Sequence, residues 1–237
     1  MEKEKKRIVK VGGFIVGAVG FIASAIGIFI WVTGIPDLPG LFHAKPTSAY
    51  VYEVGQKVHF GQWDWRVLAV ENGKVLLLAE NVILKQPYNE DYTKVTWKNC
   101  TLRAYLNGEF LEEFSLQDRA KICITGNINR NNQWFGTNGG NSTTDKVFLL
   151  SIEEVVKYFG DSGQLKNKNP DNEYWIDDQY NSKRAAYLYN DDWWLRSPGY
   201  SQDAAAYVMP DGRIQLVGWL VSETTGGVRP ALWLKID

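Results

Sequence analysis

The sequence predicts an α+β fold in which an N-terminal transmembrane helix precedes one mixed domain with paired terminal strands. Three observations support this prediction. Residues 11–35 contain no Asp, Glu, Lys, Arg or His. Strand patterns lie near both ends of the remaining chain, with helical patterns between them. Strands and helices do not alternate as they do in a doubly wound sheet, so the terminal strands can pair with each other.

The apolar run has 25 residues. As a helix it would span roughly 37 Å, which exceeds a hydrocarbon core of about 30 Å. A cleaved signal peptide would have an apolar stretch of only about 7–15 residues, and the small-x-small pattern Ala23-Ser24-Ala25 lies inside the run. We therefore expect a retained signal anchor with the lipid bilayer as its partner, and cleavage is the alternative.

The flanking charges predict the orientation of this segment. Five basic residues precede it: Lys3, Lys5, Lys6, Arg7 and Lys10. The positive-inside rule predicts a single-pass protein of the cell membrane, with a cytoplasmic basic head at 1–10 and a C-terminal domain outside. Residues 36–50 contain three prolines and predict an extended linker to an extracytoplasmic domain at 51–237. A GxxxG at Gly13 and Gly17 leaves the oligomeric state open, because Gly is frequent in membrane helices.

The outer domain begins with a hairpin pattern. Asn72-Gly73 is a strong two-residue turn signal between two apolar runs. His59 alternates with apolar neighbours, so its side chain is predicted to point away from the core. The predicted strands are 57–61, 64–71 and 74–80.

Helical patterns follow this hairpin. Apolar residues recur at helical spacing at Leu102, Tyr105, Leu106 and Phe110. Ser115 resembles an N-cap and predicts a short helix through Cys123. Ser151 and Glu154 form a capping box, and the helix that they open is predicted to end at Gly160.

Two polar segments, 127–145 and 161–178, are typical of functional or disordered loops. Their Asp and Asn oxygens suit Ca²⁺, but no DxDxDG loop is present and such clusters more often form solvated turns. We therefore expect no cofactor, with a structural calcium ion as the alternative. The chain then returns to strands, with a hairpin centred on Asp211-Gly212 and a last strand within 228–237.

Composition excludes several functions. Residues 36–237 carry 21 basic and 25 acidic side chains, so no basic surface for nucleic acid is expected. Two cysteines and two histidines without CxxC or HxxxH spacing argue against a zinc site. No GxSxG elbow is present for a serine hydrolase. Asp191 and Asp192 could serve a glycosidase, but adjacent residues on a strand point to opposite sides. Cys100 and Cys123 form either a disulfide or two separate thiols.

Four motifs occur in order: TWKNCTLRAYLNGEF at 96–110, TTDKVFLLS at 143–151, WWLRSPG at 193–199 and GGVRPALWL at 226–234. They resemble the marks of a bacterial family of uncharacterised extracellular domains. The C-terminal half of that family is similar to the C-type-lectin-like fold of formylglycine-generating enzymes and of the variable proteins of diversity-generating retroelements. The resemblance implies a C-type-lectin-like mixed domain, with a surface at 199–227 that is variable in such proteins and binds an extracellular protein or glycan.

The residues of this section have the composition of a binding surface, in which tyrosine and tryptophan occur with short polar companions. Packing on a sheet face is an equally good explanation for Tyr207 and Trp219. The candidate ligand-binding residues are Tyr200, Gln202, Asp203, Tyr207, Arg213, Gln215, Trp219 and Glu223.

The motifs also contain predicted core residues: Trp193, Trp194, Leu195 and Trp233. Arg196 and Arg229 lie inside apolar motifs, so we expect structural roles in which carboxylates or carbonyls satisfy them. A formylglycine-generating-type enzyme would need reactive cysteines toward the C-terminus, and no cysteine follows Cys123. The sequence therefore predicts a non-catalytic binding or display protein, with that enzyme class or a cell-envelope scaffold as alternatives.

Overall fold

A computed structural model describes residues 9–11, 14–16, 23–24, 27–28, 51–186 and 191–236. The chain divides into two compact units, Met1–Ala49 and Tyr50–Asp237. In the first unit the described backbone forms two short antiparallel pairs. Their strands are Val9–Val11 (β1) with Phe14–Val16 (β2), and Ala23–Ser24 (β3) with Gly27–Ile28 (β4).

The predicted transmembrane helix at 11–35 is wrong. Among the described residues, no helix has the length and apolar character needed to cross a bilayer. The described parts of the run are strands. Val, Ile and Phe favour strands as well as apolar surroundings, so hydropathy alone could not distinguish the two structures. The predicted linker at 36–50 and the GxxxG glycines lie outside the described residues.

The α+β prediction is also wrong, because the second unit consists mostly of β-sheets. Its described helices are short, and the longest has eight residues. The continuous helix expected over the first apolar pattern is interrupted at Gly108, which caps one segment and opens the next. The helices are Thr101–Asn107 (α1), Glu109–Glu112 (α2), Leu116–Lys121 (α3), Ile152–Phe159 (α4) and Asn181–Arg184 (α5).

A five-stranded antiparallel sheet contains both ends of the domain. Its strands are Lys57–Phe60 (β5), Trp63–Glu71 (β6), Lys74–Ala79 (β7), Val147–Phe148 (β11) and Ala231–Lys235 (β17). Their order is β11-β17-β7-β6-β5. The first hairpin is confirmed, and its turn residues Asn72 and Gly73 have φ values of 50° and 72°, as a type I′ turn requires.

A six-stranded sheet forms the second layer of strands. Its strands are Leu84–Lys85 (β8), Trp175–Ile176 (β12), Trp193–Pro198 (β13), Ala204–Val208 (β14), Ile214–Leu220 (β15) and Gly227–Val228 (β16). Their order is β12-β15-β14-β13-β16-β8. The hairpin predicted at Asp211-Gly212 is confirmed, since it joins β14 to β15. A separate pair, Thr125–Asn127 (β9) with Thr143–Asp145 (β10), closes the base of the first polar segment.

The helix caps agree with the sequence. The side chains of Ser115 and Ser151 accept hydrogen bonds from the backbone at Asp118 and Glu154. The capping box at Ser151 is complete, and α4 ends at Gly160 as predicted. The helix opened at Ser115 ends at Lys121, before the predicted Cys123. Cys123 instead continues toward the five-stranded sheet, where its N–H donates to the carbonyl of Trp233.

Buried arginines connect the layers. Arg196 donates to both carboxylate oxygens of Glu154, to the carbonyl of Leu149 (2.7 Å) and to Asn129 Oδ1 (3.2 Å). Arg229 donates to the carbonyls of Ala79, Glu80 and Arg184. The structural roles predicted for Arg196 and Arg229 are therefore confirmed.

The predicted core residues of the motifs fall into two groups. Trp193, Trp194 and Leu195 are fully buried, as expected. Trp233 is only half-buried, because it lies beside exposed residues of a shallow hollow that includes Glu71 and Ile124. His59 is exposed as predicted, and its Nδ1 lies 3.0 Å from Asp64 Oδ1.

Candidate ligand-binding site

One side of the six-stranded sheet brings together residues that are far apart in sequence. Residues paired across neighbouring strands point to the same side of a sheet. The register pairs Trp175 with Gln215, Gln215 with Tyr207, and Tyr207 with Trp194. We call this surface the aromatic face, and it consists of Trp175, Tyr207, Arg213, Gln215 and Trp219.

Aromatic packing makes the centre of this face rigid. Tyr207 and Trp219 stack with ring centroids 5.1 Å apart and an interplanar angle of 19°. The fully buried Trp194 lies beneath them, with its ring centroid 6.3 Å from each. The Trp194 ring is itself held by a hydrogen bond from its Nε1 to the carbonyl of Gln86. Two half-buried rings are thus displayed on a fixed support.

Most side-chain polar atoms of the aromatic face form no hydrogen bond with the described residues. Within the described residues, Tyr207 Oη, Trp219 Nε1, Trp175 Nε1 and Gln215 Nε2 have no hydrogen-bond partner. Gln215 Oε1 accepts from the N–H of Val217, which orients the amide so that its NH₂ group is available. By contrast, five other tryptophans donate their Nε1–H to protein oxygens: Trp65, Trp97, Trp134, Trp193 and Trp194.

Arg213 lies at one side of the face in a fixed orientation. Its guanidinium stacks over the Trp175 ring at 4.9 Å and donates to Asp211 Oδ2 at 2.7 Å. Planar stacking and a carboxylate partner together hold this side chain in place. Its positive charge is close enough to Tyr207 to oppose the rise in the pKa of that phenol.

Asp192 immediately precedes β13, which lies on the other side of β14 from β15 and Arg213. Burial raises the pKa of its half-buried carboxyl group, and the negative charges of Asp191 and Glu223 raise it further. Lys85 forms its ion pair with Asp191 at 2.6 Å, and it lowers the pKa of Asp192 only through a longer-range attraction. The pKa of Tyr207 is raised mainly by burial and then by the charge of Asp192. Among the described residues, Asp192 therefore has no directly paired cation, and its charge acts on Tyr207 of the stacked pair.

The structure separates the eight predicted residues into three groups. Tyr207, Arg213, Gln215 and Trp219 lie on the aromatic face. Glu223 lies in the turn after β15, where its carboxylate accepts from Thr225 and acts on Asp192 electrostatically.

The remaining three predicted residues, Tyr200, Gln202 and Asp203, lie in the turn between β13 and β14. This turn packs against the first polar segment. Gln202 donates to the carbonyl of Asn138, and Thr137 donates to the carbonyl of Tyr200. Asp203 accepts from Ser201 and, at 3.4 Å, from Tyr92. Tyr200 is 53% exposed, but the polar side chains around it are already paired.

Sequence reasoning missed Trp175 and Asp192. Trp175 is an isolated tryptophan within a polar segment, and that contrast was the available signal. Asp192 immediately precedes the WWLRSPG motif and was considered only as half of a catalytic pair. Their neighbours on the face come from other strands, so no local periodicity relates them.

A second concave surface lies beside α1. It is an open groove of about 550 Å³, lined by Gln86, Pro87, Glu90, Thr101, Ala104, Tyr105, Gly108 and Glu109. The carbonyl of Gln86 accepts a hydrogen bond from Nε1 of Trp194. The groove therefore borders Trp194, the residue that supports the aromatic face. The hydroxyl of Thr101 already accepts from the N–H of Glu90.

Both cysteines are free thiols, which answers the question that the sequence left open. Cys100 caps the N-terminus of α1 through its Sγ and is buried. Burial raises the pKa of its thiol to about 12, so it is almost entirely protonated at neutral pH. In the part of the chain that the structure describes, no three His, Cys, Asp or Glu side chains are arranged to hold a metal ion.

Comparison with known proteins identifies a family without an assigned activity. Residues 72–236 match the model of a domain of unknown function, DUF6273. This match covers more than two thirds of the chain. No curated protein and no solved structure shows a significant match. The chain belongs to the DUF6273 family, and the matched region includes the whole aromatic face.

Proposed function

We propose that this domain is a non-catalytic binding module whose ligand contacts the aromatic face. The observation that carries the proposal is the stacked pair Tyr207–Trp219, which is half-buried and surrounded by polar atoms without partners in the described structure. Interior polar groups are normally paired, and open ones on a rigid surface are available to a ligand. Rigid aromatic side chains also lose little conformational entropy on binding.

The thiol chemistry supports binding over oxidation. An oxidase of the formylglycine-generating type needs a reactive thiolate. The Cys100 thiol has a pKa of about 12 and lies in the core. Cys123 is half-buried and belongs to the segment that joins α3 to the five-stranded sheet, on a different sheet from the aromatic face.

The proposal includes two expectations from the sequence. The first is a likeness to the C-type-lectin-like fold, supported by the pairing of β17 with β7 and by the hairpin β14–β15. The second is a position outside the cytoplasm, supported by the resemblance of the four motifs at 96–110, 143–151, 193–199 and 226–234 to extracellular domains. Digestion of intact cells by an added protease would test this position, because a cytoplasmic domain would stay uncut.

The binding function can be tested by screening full-length protein against arrays of extracellular proteins and glycans. We expect Trp219→Ala to weaken any specific signal at least tenfold. Trp233→Ala is the matched control, since Trp233 is also half-buried but lies on the five-stranded sheet, and it should keep the signal. Circular dichroism would verify that both variants are folded.

A second variant distinguishes the predicted residues on the aromatic face from those in the β13–β14 turn. Tyr200→Ala removes the exposed aromatic ring of the β13–β14 turn and leaves the aromatic face intact. We expect unchanged binding. Loss of the signal in Tyr200→Ala together with full binding by Trp219→Ala would move the ligand site to the turn and contradict the proposal.

A further inference from the structure

We propose that the ligand of the aromatic face is a carbohydrate, with a sugar ring stacked on the outer face of Tyr207 or Trp219 and its hydroxyl groups bonded to Asp192, Gln215 and the indole N–H of Trp219. This inference rests on the proposed binding function and narrows its ligand to one chemical class. It follows from the shape of the rings, from the kinds of open polar atoms, and from the uncompensated charge at Asp192.

The rings provide an apolar contact of limited size. Tyr207 and Trp219 are stacked directly on each other, and their centroids are only 5.1 Å apart, so no flat group fits between them. Each ring therefore offers only its outer face, which is turned away from the other ring, and a ligand packs on one of these outer faces. Pyranose rings present patches of C–H groups that pack on aromatic rings, while their equatorial hydroxyls point outward around the edge.

The open polar atoms include both donors and acceptors. Trp219 Nε1 and Gln215 Nε2 can only donate, Tyr207 Oη can do both, and an ionised Asp192 can only accept. A hydroxyl group donates and accepts, so adjacent sugar hydroxyls can satisfy all of these atoms together. An ammonium ligand would bond to Asp192 but would leave the N–H donors without acceptors.

The uncompensated charge of Asp192 favours the same ligand. Lys85 is bonded to Asp191, and Arg213 is bonded to Asp211 on the opposite side of Tyr207. Asp192 therefore keeps its acceptor capacity, and a pair of neighbouring hydroxyls can donate to its two oxygens. Hydrogen bonds to an ionised acceptor are stronger than neutral ones.

The setting of the rings favours a carbohydrate over a protein. Protein interfaces take most of their energy from aromatic anchors that enter pockets of the partner. Here both rings are half-buried and supported from below by Trp194. Rings that are held in this way do not project as anchors into a partner, and hydroxyl groups can reach the polar atoms beside them.

The test uses full-length protein on a printed array of neutral, N-acetylated and acidic oligosaccharides, with choline titrated separately as the cationic probe. We expect retention of a defined set of oligosaccharides. Trp219→Ala and Asp192→Asn should each reduce it at least tenfold, Tyr207→Phe by a smaller factor, and Trp233→Ala should not change it. The Asp192→Asn variant keeps the shape of the side chain, so a loss of oligosaccharide retention in this variant would result from the missing charge and not from misfolding.

The other possible results distinguish failure of the carbohydrate class from failure of the proposed binding function. Tight binding of choline with no retained oligosaccharide would overturn the carbohydrate class, since the ligand would then be a cation. Binding to a protein array that depends on Trp219 would also overturn it, but would leave the proposed binding function standing. The absence of binding on both the oligosaccharide and the protein array would contradict both the carbohydrate ligand and the proposed binding function. Oligosaccharide binding that survives Trp219→Ala and Asp192→Asn would place the carbohydrate site elsewhere.

Discussion

The buried arginines and the aromatic face contrast in how their polar atoms are satisfied. Arg184, Arg196 and Arg229 are almost inaccessible to solvent, and each guanidinium donates to at least three protein atoms. On the aromatic face, Tyr207 and Trp219 have no polar partner among the described residues. The two regions share strand β13, which contributes Arg196 to the first and the supporting Trp194 to the second.

This difference separates residues that hold the fold together from residues that are available to a ligand. A buried guanidinium without partners would lower the stability of the fold by several kcal/mol. The carbonyls and carboxylates of the interior therefore accept hydrogen bonds from these arginines. The cost is still visible at Arg229, where burial lowers the pKa to about 9. Half-buried groups can remain unpaired because water satisfies them until a ligand displaces it.

The largest expected effect comes from breaking an interior arginine pair. Arg196→Met removes the guanidinium that donates to Glu154 and Asn129, and removal of one partner of a buried pair costs roughly 3–5 kcal/mol. Arg213→Met is the matched control, because its pair with Asp211 is more exposed and such pairs contribute about 1 kcal/mol or less. Urea denaturation measures both. Equal losses of stability would contradict the distinction between interior and face.

A smaller loss is expected where the backbone supports the face. A Cβ atom at Gly226 would overlap the indole ring of Trp194, and overpacking of a core costs about 1–3 kcal/mol. Gly226→Ala should therefore lower the melting temperature and shift the tryptophan fluorescence, since Trp194 must move beneath Tyr207 and Trp219. Gly126→Ala is the control, because its Cβ meets no atom within 4 Å. Unchanged fluorescence in Gly226→Ala would show that the backbone at Gly226 shifts and Trp194 does not.

Asp192→Asn is expected to have a small effect of the opposite sign. The folded-state pKa of Asp192 is raised, so the native state holds this proton more tightly than the unfolded chain. Its contribution to stability is greatest at low pH and decreases as the pH rises from the unfolded value through the raised folded value. At neutral pH the variant should melt slightly above the parent protein.

The pH dependence of this difference checks its origin. The charged groups that act on Asp192 are Lys85, Asp191 and Glu223, and its own charge acts on Tyr207. The gain of Asp192→Asn should disappear when the parent carboxyl is protonated in acid. A variant that melts below the parent at neutral pH would show that the carboxylate stabilises the fold, contrary to a ligand-binding role.

The smallest effect concerns thiol reactivity in the native state. A maleimide at pH 7 should modify Cys123 and spare Cys100, because Cys100 is buried and its thiol pKa is about 12. Unfolding in urea should expose both. Mass spectrometry of the intact protein counts the modified thiols, and rapid modification of native Cys100 would show that the helix α1 opens readily.

Local patterns predicted individual turns and helix caps correctly. The turn signals at Asn72-Gly73 and Asp211-Gly212 and the capping box at Ser151 correspond to observed elements. These features depend on backbone conformations within a few residues, which neighbouring side chains largely determine. The apolar run at 11–35 and the helical pattern near Gly108 misled prediction, because hydropathy and spacing do not distinguish a helix from strands or from a broken helix.

The candidate site was only partly predictable for a physical reason. Tyr207, Gln215 and Trp219 belong to one hairpin, and alternation along strands places them on one side. Trp175 and Asp192 join them through pairing and burial that involve other strands. The turn residues Tyr200, Gln202 and Asp203 have the same composition as the face but are occupied by contacts with the first polar segment.

The sequence by itself determined the two hairpins, the helix caps, the buried arginines and the shortage of reactive side chains. These properties follow from local backbone preferences and from residue chemistry. Only the tertiary structure decided which aromatic residues form one surface and which polar atoms there remain unpaired. Cross-strand pairing brings together residues that are from 8 (Tyr207 with Gln215) to 40 (Trp175 with Gln215) positions apart, and burial then decides whether a carboxylate such as Asp192 keeps a partner.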